Sequence, residues 1–279
     1  MRLLFVLHDY LPEHVGGCEV HAHQLATALA ARGHEVTVAC TERDLSRPAG
    51  TLVERHHEGL RVIEVSHPRE YGDVAESWRE EPAGEVFAGL LRRERPELVH
   101  FQHLMYWGAA CVARAAAAGA GTVMTLHDAH LLCDRCTLWA GESAGRCAPA
   151  EPECCQRCLE RHPFRAARWG QDPARAHRRA MLERLAHHRQ HLAQLDVALA
   201  PSRLIAGIHR EAGLLAEEQL SLLPNPTPGP LAPVRPPRAA GPLRAGFVGA
   251  PTPAKGVHVL VEAVGRLAGE VEGHIFGPL

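Results

Sequence analysis

The opening of the chain constrains its fold more than any other stretch. Arg2–Leu7 is a short apolar run that ends in a loop containing Pro12, Gly16 and Gly17. A helical pattern follows, with Val20, Leu25, Ala28 and Leu29 spaced for one buried face, and Gly33 stops it at a position suited to a left-handed C-cap. A second apolar strand, residues 35–40, begins at once. Strand, glycine loop, helix and strand form a βαβ unit, whose parallel strands are joined by a right-handed crossover. An open α/β sheet places its ligand beyond the carboxyl ends of its strands, which is where Gly16 and Gly17 fall. Glycine lets backbone approach a ligand closely, and the bare N–H groups of the helix behind it suit an anion such as phosphate. A tight turn explains a lone Gly-Gly equally well, and no G-x-G-x-x-G dinucleotide fingerprint is present, which counts against a dinucleotide-dependent oxidoreductase.

The alternation continues. Residues 60–65, 98–101, 122–126, 196–200 and 220–223 read as strands, and 84–95, 109–118, 173–195 and 202–211 as helices. Residues 45–59 read as a polar loop and 71–82 as an irregular connection. Strands alternating with helices predict an α/β fold with a doubly wound, Rossmann-like parallel sheet. Seven prolines crowd residues 226–242, with Pro224 just before them, as in a stiff linker. Beyond it a second strand, loop, helix and strand begin. The expected domains are therefore a Rossmann-like lobe over 1–225, a linker over 226–242, and over 243–279 the start of an incomplete second Rossmann-like lobe.

Composition narrows the function. A net charge of −2 gives no general attraction for nucleic acid. No run of about 18 uncharged apolar residues occurs, so no membrane span is predicted. The first apolar run reads as a strand rather than a signal peptide, and the expected location is cytoplasmic. Nine cysteines in a cytoplasmic protein point to metal or catalysis rather than disulfides.

Several segments together resemble the family 4 retaining glycosyltransferases, which have the two-lobed GT-B fold. They are P-x-x-x-G-G-C-E at 12–19, L-A-x-x-L-A-x-R-G-H-E-V-T-V at 25–38, E-L-V-H-F-Q-H at 97–103, T-L-H-D at 125–128, A-P-S at 200–202, L-P-N at 223–225 and G-F-V-G-x-P-T-P-x-K-G at 246–256. The resemblance implies an acceptor-binding first lobe, a second lobe for a nucleotide-sugar donor (a UDP- or GDP-sugar), and hexose transfer to a glycan or lipid-linked acceptor. It implies that Gly16 and Gly17 lie against the donor diphosphate or sugar, that His127 contacts the reacting sugar with Asp128 beside it, and that Lys255 pairs with donor phosphate. The residues agree: His127 and Asp128 end a strand on the same sheet edge as the glycine loop, and a cation suits phosphate. No D-x-D occurs among the seven aspartates, so no catalytic metal is expected. Retention in the family is drawn as front-face attack with the leaving diphosphate as base, which needs no protein nucleophile.

Two departures from the family stand out. Ala250 occupies a position where Arg is common, and the Glu-x7-Glu segment that holds the donor would lie past residue 279. The expectation is an inactive chain, or one that needs a second chain to complete its donor lobe. A competing reading is a non-catalytic, metal-stabilised binding protein derived from the same lobe.

Residues 129–163 break the rhythm and carry Cys133, Cys136, Cys147, Cys154, Cys155 and Cys158. Zinc takes four soft ligands in a tetrahedron, and Cys-x2-Cys offers two from one turn. Similar patterns in some relatives favour Cys133, Cys147, Cys155 and Cys158 as the set for a structural zinc. An iron–sulfur cluster is the lesser option. The helix at 173–195 sets Leu182, Leu185, Leu192 and Leu195 on one side, and Arg175, Arg178, Arg179, Arg184 and Arg189 on the other with His177, His187, His188 and His191. It reads either as a solvated face or as a contact for anionic lipid at the inner face of the membrane.

Overall fold

The first strand, β1 (Arg2–Leu7), is buried from Leu3 onward, which is why it reads as an unbroken apolar run rather than an alternation. The computed structural model describes residues 1–71, 75–133, 135–139, 147, 173–226, 241–267 and 269–277. These fall into two units, the larger within 1–138 and 146–227 and the smaller within 228–279 and the short stretch 139–145.

In the larger unit β1 is followed by α1 (Gly17–Ala30), β2 (Glu35–Glu42), β3 (Leu52–His57), β4 (Leu60–Ser66), α2 (Glu76–Arg79), α3 (Glu81–Glu94), β5 (Leu98–Phe101), α4 (Ala110–Ala117), β6 (Gly121–Thr125), α5 (Pro173–Leu192), β7 (Val197–Ala200), α6 (Arg203–Glu211) and β8 (Leu220–Leu222). Eight strands form one sheet in the order β3-β4-β2-β1-β5-β6-β7-β8. All neighbours pair in parallel except β3, which runs antiparallel to β4. This is the doubly wound α/β architecture expected. The chain order reverses between β1 and β5, so their carboxyl ends flank the crevice where such sheets bind ligands.

One core layer sits between α1 and the sheet: Leu3, Phe5 and Leu7 pack with Ala22, Ala26, Val36, Val38 and Val62. On the opposite face Phe87 of α3 lies 5.9 Å, ring to ring, from both Phe101 and Trp107. Phe5 is fully buried, and truncating such a ring to alanine costs about 3–5 kcal/mol.

Residues 45–59 depart from expectation. They contain β3, an edge strand whose residues alternate between exposed and half-buried. An edge strand with one wet face needs few apolar residues, and Arg55 ion-pairs with Glu64 across to β4 to hold it. The connection at 71–82 likewise contains α2 and the start of α3. In α5, Leu185 and Leu192 are buried as expected, but Leu182 is 50% exposed and Arg184 and His188 are buried. Arg184 hydrogen-bonds the His130 carbonyl, and Arg189 donates to the carbonyls of Ala212 and Gly213 past the end of α6. Two of the arginines assigned to an outer basic face are therefore engaged by backbone carbonyls within the protein.

In the smaller unit β9 (Leu243–Val248) and β10 (Val271–Phe276) pair in parallel, with α7 (Val257–Arg266) between them in sequence. Lys255 ends a short 3-10 turn, Pro253–Lys255, just before α7 and is exposed. No helix among the described residues is long and apolar enough to cross a membrane.

Candidate active site at the carboxyl ends of β1, β5 and β6

Alternation along β5 sends His100 and Gln102 to one side of the sheet and Val99 and Phe101 to the other. The α1 side receives His100, whose ring centroid is 5.1 Å from that of Phe5. Gln102, one residue past the strand, is fully buried on that side beneath the first turns of α1. Its side-chain oxygen lies 3.2 Å from His21 Nδ1 and 2.8 Å from His127 Nε2. A carbonyl oxygen can only accept, so both ring nitrogens donate, and each neutral imidazole keeps its lone pair on the other nitrogen. The His21 and His127 rings meet edge to face, 4.9 Å apart. Burial, then the neighbouring His21, lowers the His127 pKa to about 4, and burial also lowers that of His21. Both are neutral near pH 7. The side-chain nitrogen of Gln102 is buried without a hydrogen-bond partner.

The glycine loop reaches the same place through α1. Gly16 is the helix N-cap and Gly17 its first residue, and the Cys18 thiol donates to the Gln102 backbone carbonyl at 3.6 Å. Gly16 has one close neighbour: a Cβ there would lie 2.5 Å from Glu19 Oε2, the far end of a flexible side chain. Gly17 has none, since a Cβ there would meet no atom within 4 Å.

Beside the loop, His8 follows β1, with Nε2 at 3.4 Å from Glu19 Oε1. Burial, then His103, lowers the His8 pKa to about 3, and burial raises that of the Glu19 carboxyl. Loss of water disfavours the charged form of each. The His103 ring lies tilted against that of His8, 4.4 Å centroid to centroid; it accepts the Met105 backbone N–H on Nδ1 at 3.1 Å and donates from Nε2 to Asp128 at 3.3 Å. The other Asp128 oxygen accepts the His130 N–H at 2.8 Å. Burial works to raise the Asp128 pKa, but the bond and charge of His103 and the backbone N–H of His130 outweigh it and hold the carboxyl ionised. The site thus offers backbone N–H donors at a helix start, a neutral imidazole and an ionised carboxylate.

The structure gathers Gly16, Gly17, His127 and Asp128 around this crevice. Lys255 belongs to the other unit. Cys155 and Cys158 lie outside the described residues. Cys133 is half-buried and Cys147 buried. Cys136, set aside on sequence, lies 3.7 Å from His130 Nδ1. Gln102, His21, His8, Glu19 and His103 were not picked out as site residues. The strand period of two at His100 and Gln102, within a motif already noticed, was the available signal.

Comparison with known proteins bears on this crevice. The profile of Glycosyltransferase Family 4 matches residues 15–228. A glycogen synthase of Mycobacterium tuberculosis is 35% identical over 118 residues, covering 36% of this chain and 27% of that relative. The matched stretch therefore spans little more than a quarter of that relative's length. Among solved structures, the catalytic domain of starch synthase IV from Arabidopsis thaliana, bound to ADP and acarbose, superposes with a TM-score of 0.53 at 14% identity, covering 99% of this chain and 68% of that one. A UDP-forming trehalose-phosphate synthase of Burkholderia xenovorans, in complex with glucose-6-phosphate, gives 0.52 at 11% identity, covering 100% of this chain and 67% of that one. At such identities the likeness speaks for the GT-B type of fold alone.

Proposed function

The chain belongs to glycosyltransferase family 4, and from that premise we propose that it transfers a hexose from a nucleotide sugar to a hydroxyl of a glycan or lipid-linked acceptor, with retention. The observation that carries the reading is the convergence of the α1 N-terminus with His127 and Asp128 at the switch point of the sheet. Backbone N–H groups of the first α1 turn receive the donor diphosphate, and the bare Gly17 leaves room for it. His127 faces the transferred sugar and Asp128 accepts from a sugar hydroxyl. The family resemblance assigns Lys255 to the donor phosphates, which a cation is suited to hold. The bond from the sugar to the diphosphate breaks, the bond to the acceptor oxygen forms on the same face, and the acceptor proton passes to the departing diphosphate. The ADP of the starch synthase and the UDP-forming reaction of the trehalose-phosphate synthase are in keeping with a nucleotide-linked donor.

The domain division at 226–242, resting on composition, and a zinc held by Cys133, Cys147, Cys155 and Cys158, the set that the resemblance favours, belong to the same reading. So does a cytoplasmic location. Family membership favours the transferase over a non-catalytic binding protein.

Calorimetric titration of the chain with UDP, GDP and ADP tests the donor site. Saturable binding of one of them, weakened at least about tenfold by Lys255→Ala, is expected. No binding of any of the three would overturn the proposal.

A further inference from the structure

A second group of ligand-type side chains lies where the β3–β4 hairpin meets α1, and it shares no residue with the strand-end crevice. His23 comes from α1, His57 is the last residue of β3, and Glu58 opens the turn that follows. One imidazole nitrogen from each histidine and a Glu58 carboxylate oxygen all lie within 4.8 Å of one another. His23 Nε2 is 2.9 Å from Glu58 Oε2, and the two imidazole rings are 5.2 Å apart. A tetrahedral zinc with ligands at about 2.0–2.2 Å holds neighbouring ligand atoms roughly 3.4 Å apart. The one pair at 2.9 Å and the others at no more than 4.8 Å need only small side-chain adjustments to reach it.

Three further features suit a cation. A metal-bound histidine is normally oriented through its second ring nitrogen, and His23 Nδ1 lies 2.9 Å from the hydroxyl of Tyr10. Tyr10 is 1% exposed, and its phenolic oxygen can donate or accept a hydrogen bond. It can accept from Nδ1–H and leave the Nε2 lone pair for a metal. The turn itself is the second feature. Glu58 and Gly59 both have positive φ, 46° and 83°, between strand ends paired at His57 and Leu60. That is the two-residue hairpin geometry in which Asn, Asp or Gly is favoured. Glu58 works against this backbone preference, yet its carboxylate lands on His23. Third, Glu58 is exposed and His57 half-buried, which leaves an entry path and room for a water ligand.

We propose that His23, His57 and Glu58 form a binding site for a divalent transition-metal ion, with Tyr10 orienting His23 from behind. Two imidazoles and one carboxylate suit zinc or its neighbours rather than calcium or magnesium, which take mostly oxygen ligands. The ion would pin the hairpin to the middle of the helix whose N-terminus carries Gly16 and Gly17. The proposal does not depend on the glycosyltransferase reading.

Titration of the full chain with cobalt(II), followed in the visible spectrum, tests it. One equivalent should bind with ligand-field absorption that lacks a thiolate-to-cobalt charge-transfer band, and zinc should displace it. His57→Ala and Glu58→Gly should each weaken that equivalent at least about tenfold. Glu58→Gly installs a residue that the turn geometry favours, so binding lost there with an unchanged circular dichroism spectrum is loss of a ligand rather than of fold. Any cysteine-bound equivalents should keep their charge-transfer band in both variants. Uptake confined to thiolate-bearing sites, or wild-type affinity in either variant, overturns the proposal.

Discussion

The side-chain oxygen of Gln102 lies 2.8 Å from Nε2 of His127 and also receives His21. One buried amide therefore sets the tautomer of two imidazoles, and it does so without adding charge. That neutrality is testable. Gln102→Glu would place a carboxylate against both rings, favour their protonated forms and raise the His127 pKa from about 4 toward or above its ordinary 6.5. NMR titration of the histidine ring signals reads the shift directly. An unmoved His127 pKa in a folded variant would show that Gln102 does not govern the ring.

Acid should destabilise the chain well before its carboxylates titrate. Burial lowers the pKa of His8 and His100 to about 3 and of His127 to about 4, all below the ordinary 6.5. Between those values and 6.5 the unfolded chain binds protons that the folded chain refuses. Stability is thus fully present above about pH 6.5 and falls as pH drops toward 4, with each such group contributing a slope of at most about 1.4 kcal/mol per pH unit. Urea midpoints measured at pH 7, 6 and 5 should decline steadily. A flat profile would contradict the buried-neutral assignment.

Gly17 and stability should separate. Its Cβ position is open and it sits in the first turn of α1, so Gly17→Ala should leave stability unchanged or raise it by up to about 0.5 kcal/mol. Nucleoside diphosphate binding should nonetheless weaken about tenfold or more, because the methyl group occupies space reserved for the ligand. Thermal denaturation and calorimetry on one preparation check both halves.

Trp107 ties the loop after β5 to the end of β1, its indole N–H donating to the Leu7 carbonyl at 2.7 Å in a fully buried setting. Trp107→Phe keeps most of the ring but leaves that carbonyl without this donor. A loss of about 1–3 kcal/mol is expected in denaturant unfolding, with a larger effect on ligand binding than an equal destabilisation elsewhere, since His8 follows Leu7 directly.

Much of the architecture was readable in advance because apolar periodicity is a local signal. β1 and β9 fall where the pattern puts them, and His127 and Asp128 sit just past the end of a strand as expected. β3 was not readable. Its polar residues carry a weak pattern, and it is held by pairing with β4 and by the Arg55–Glu64 ion pair, contacts that no window on 45–59 contains. The burial of Arg184 was hidden for the same reason, since its partner is the His130 carbonyl, 54 residues away.

The chain's own residues were enough to determine the order of strands and helices apart from β3 and α2, the glycine loop at the head of α1, and the place of His127 beyond β6. Those follow from propensity, patterning and turn chemistry between near neighbours. Only the tertiary structure decided which strand ends become neighbours. Placing β5 between β1 and β6 brings Gln102 to His21 across 81 residues and to His127 across 25. Sheet order is a property of the whole packed layer, so the amide that joins the two imidazoles could not be read from any one segment.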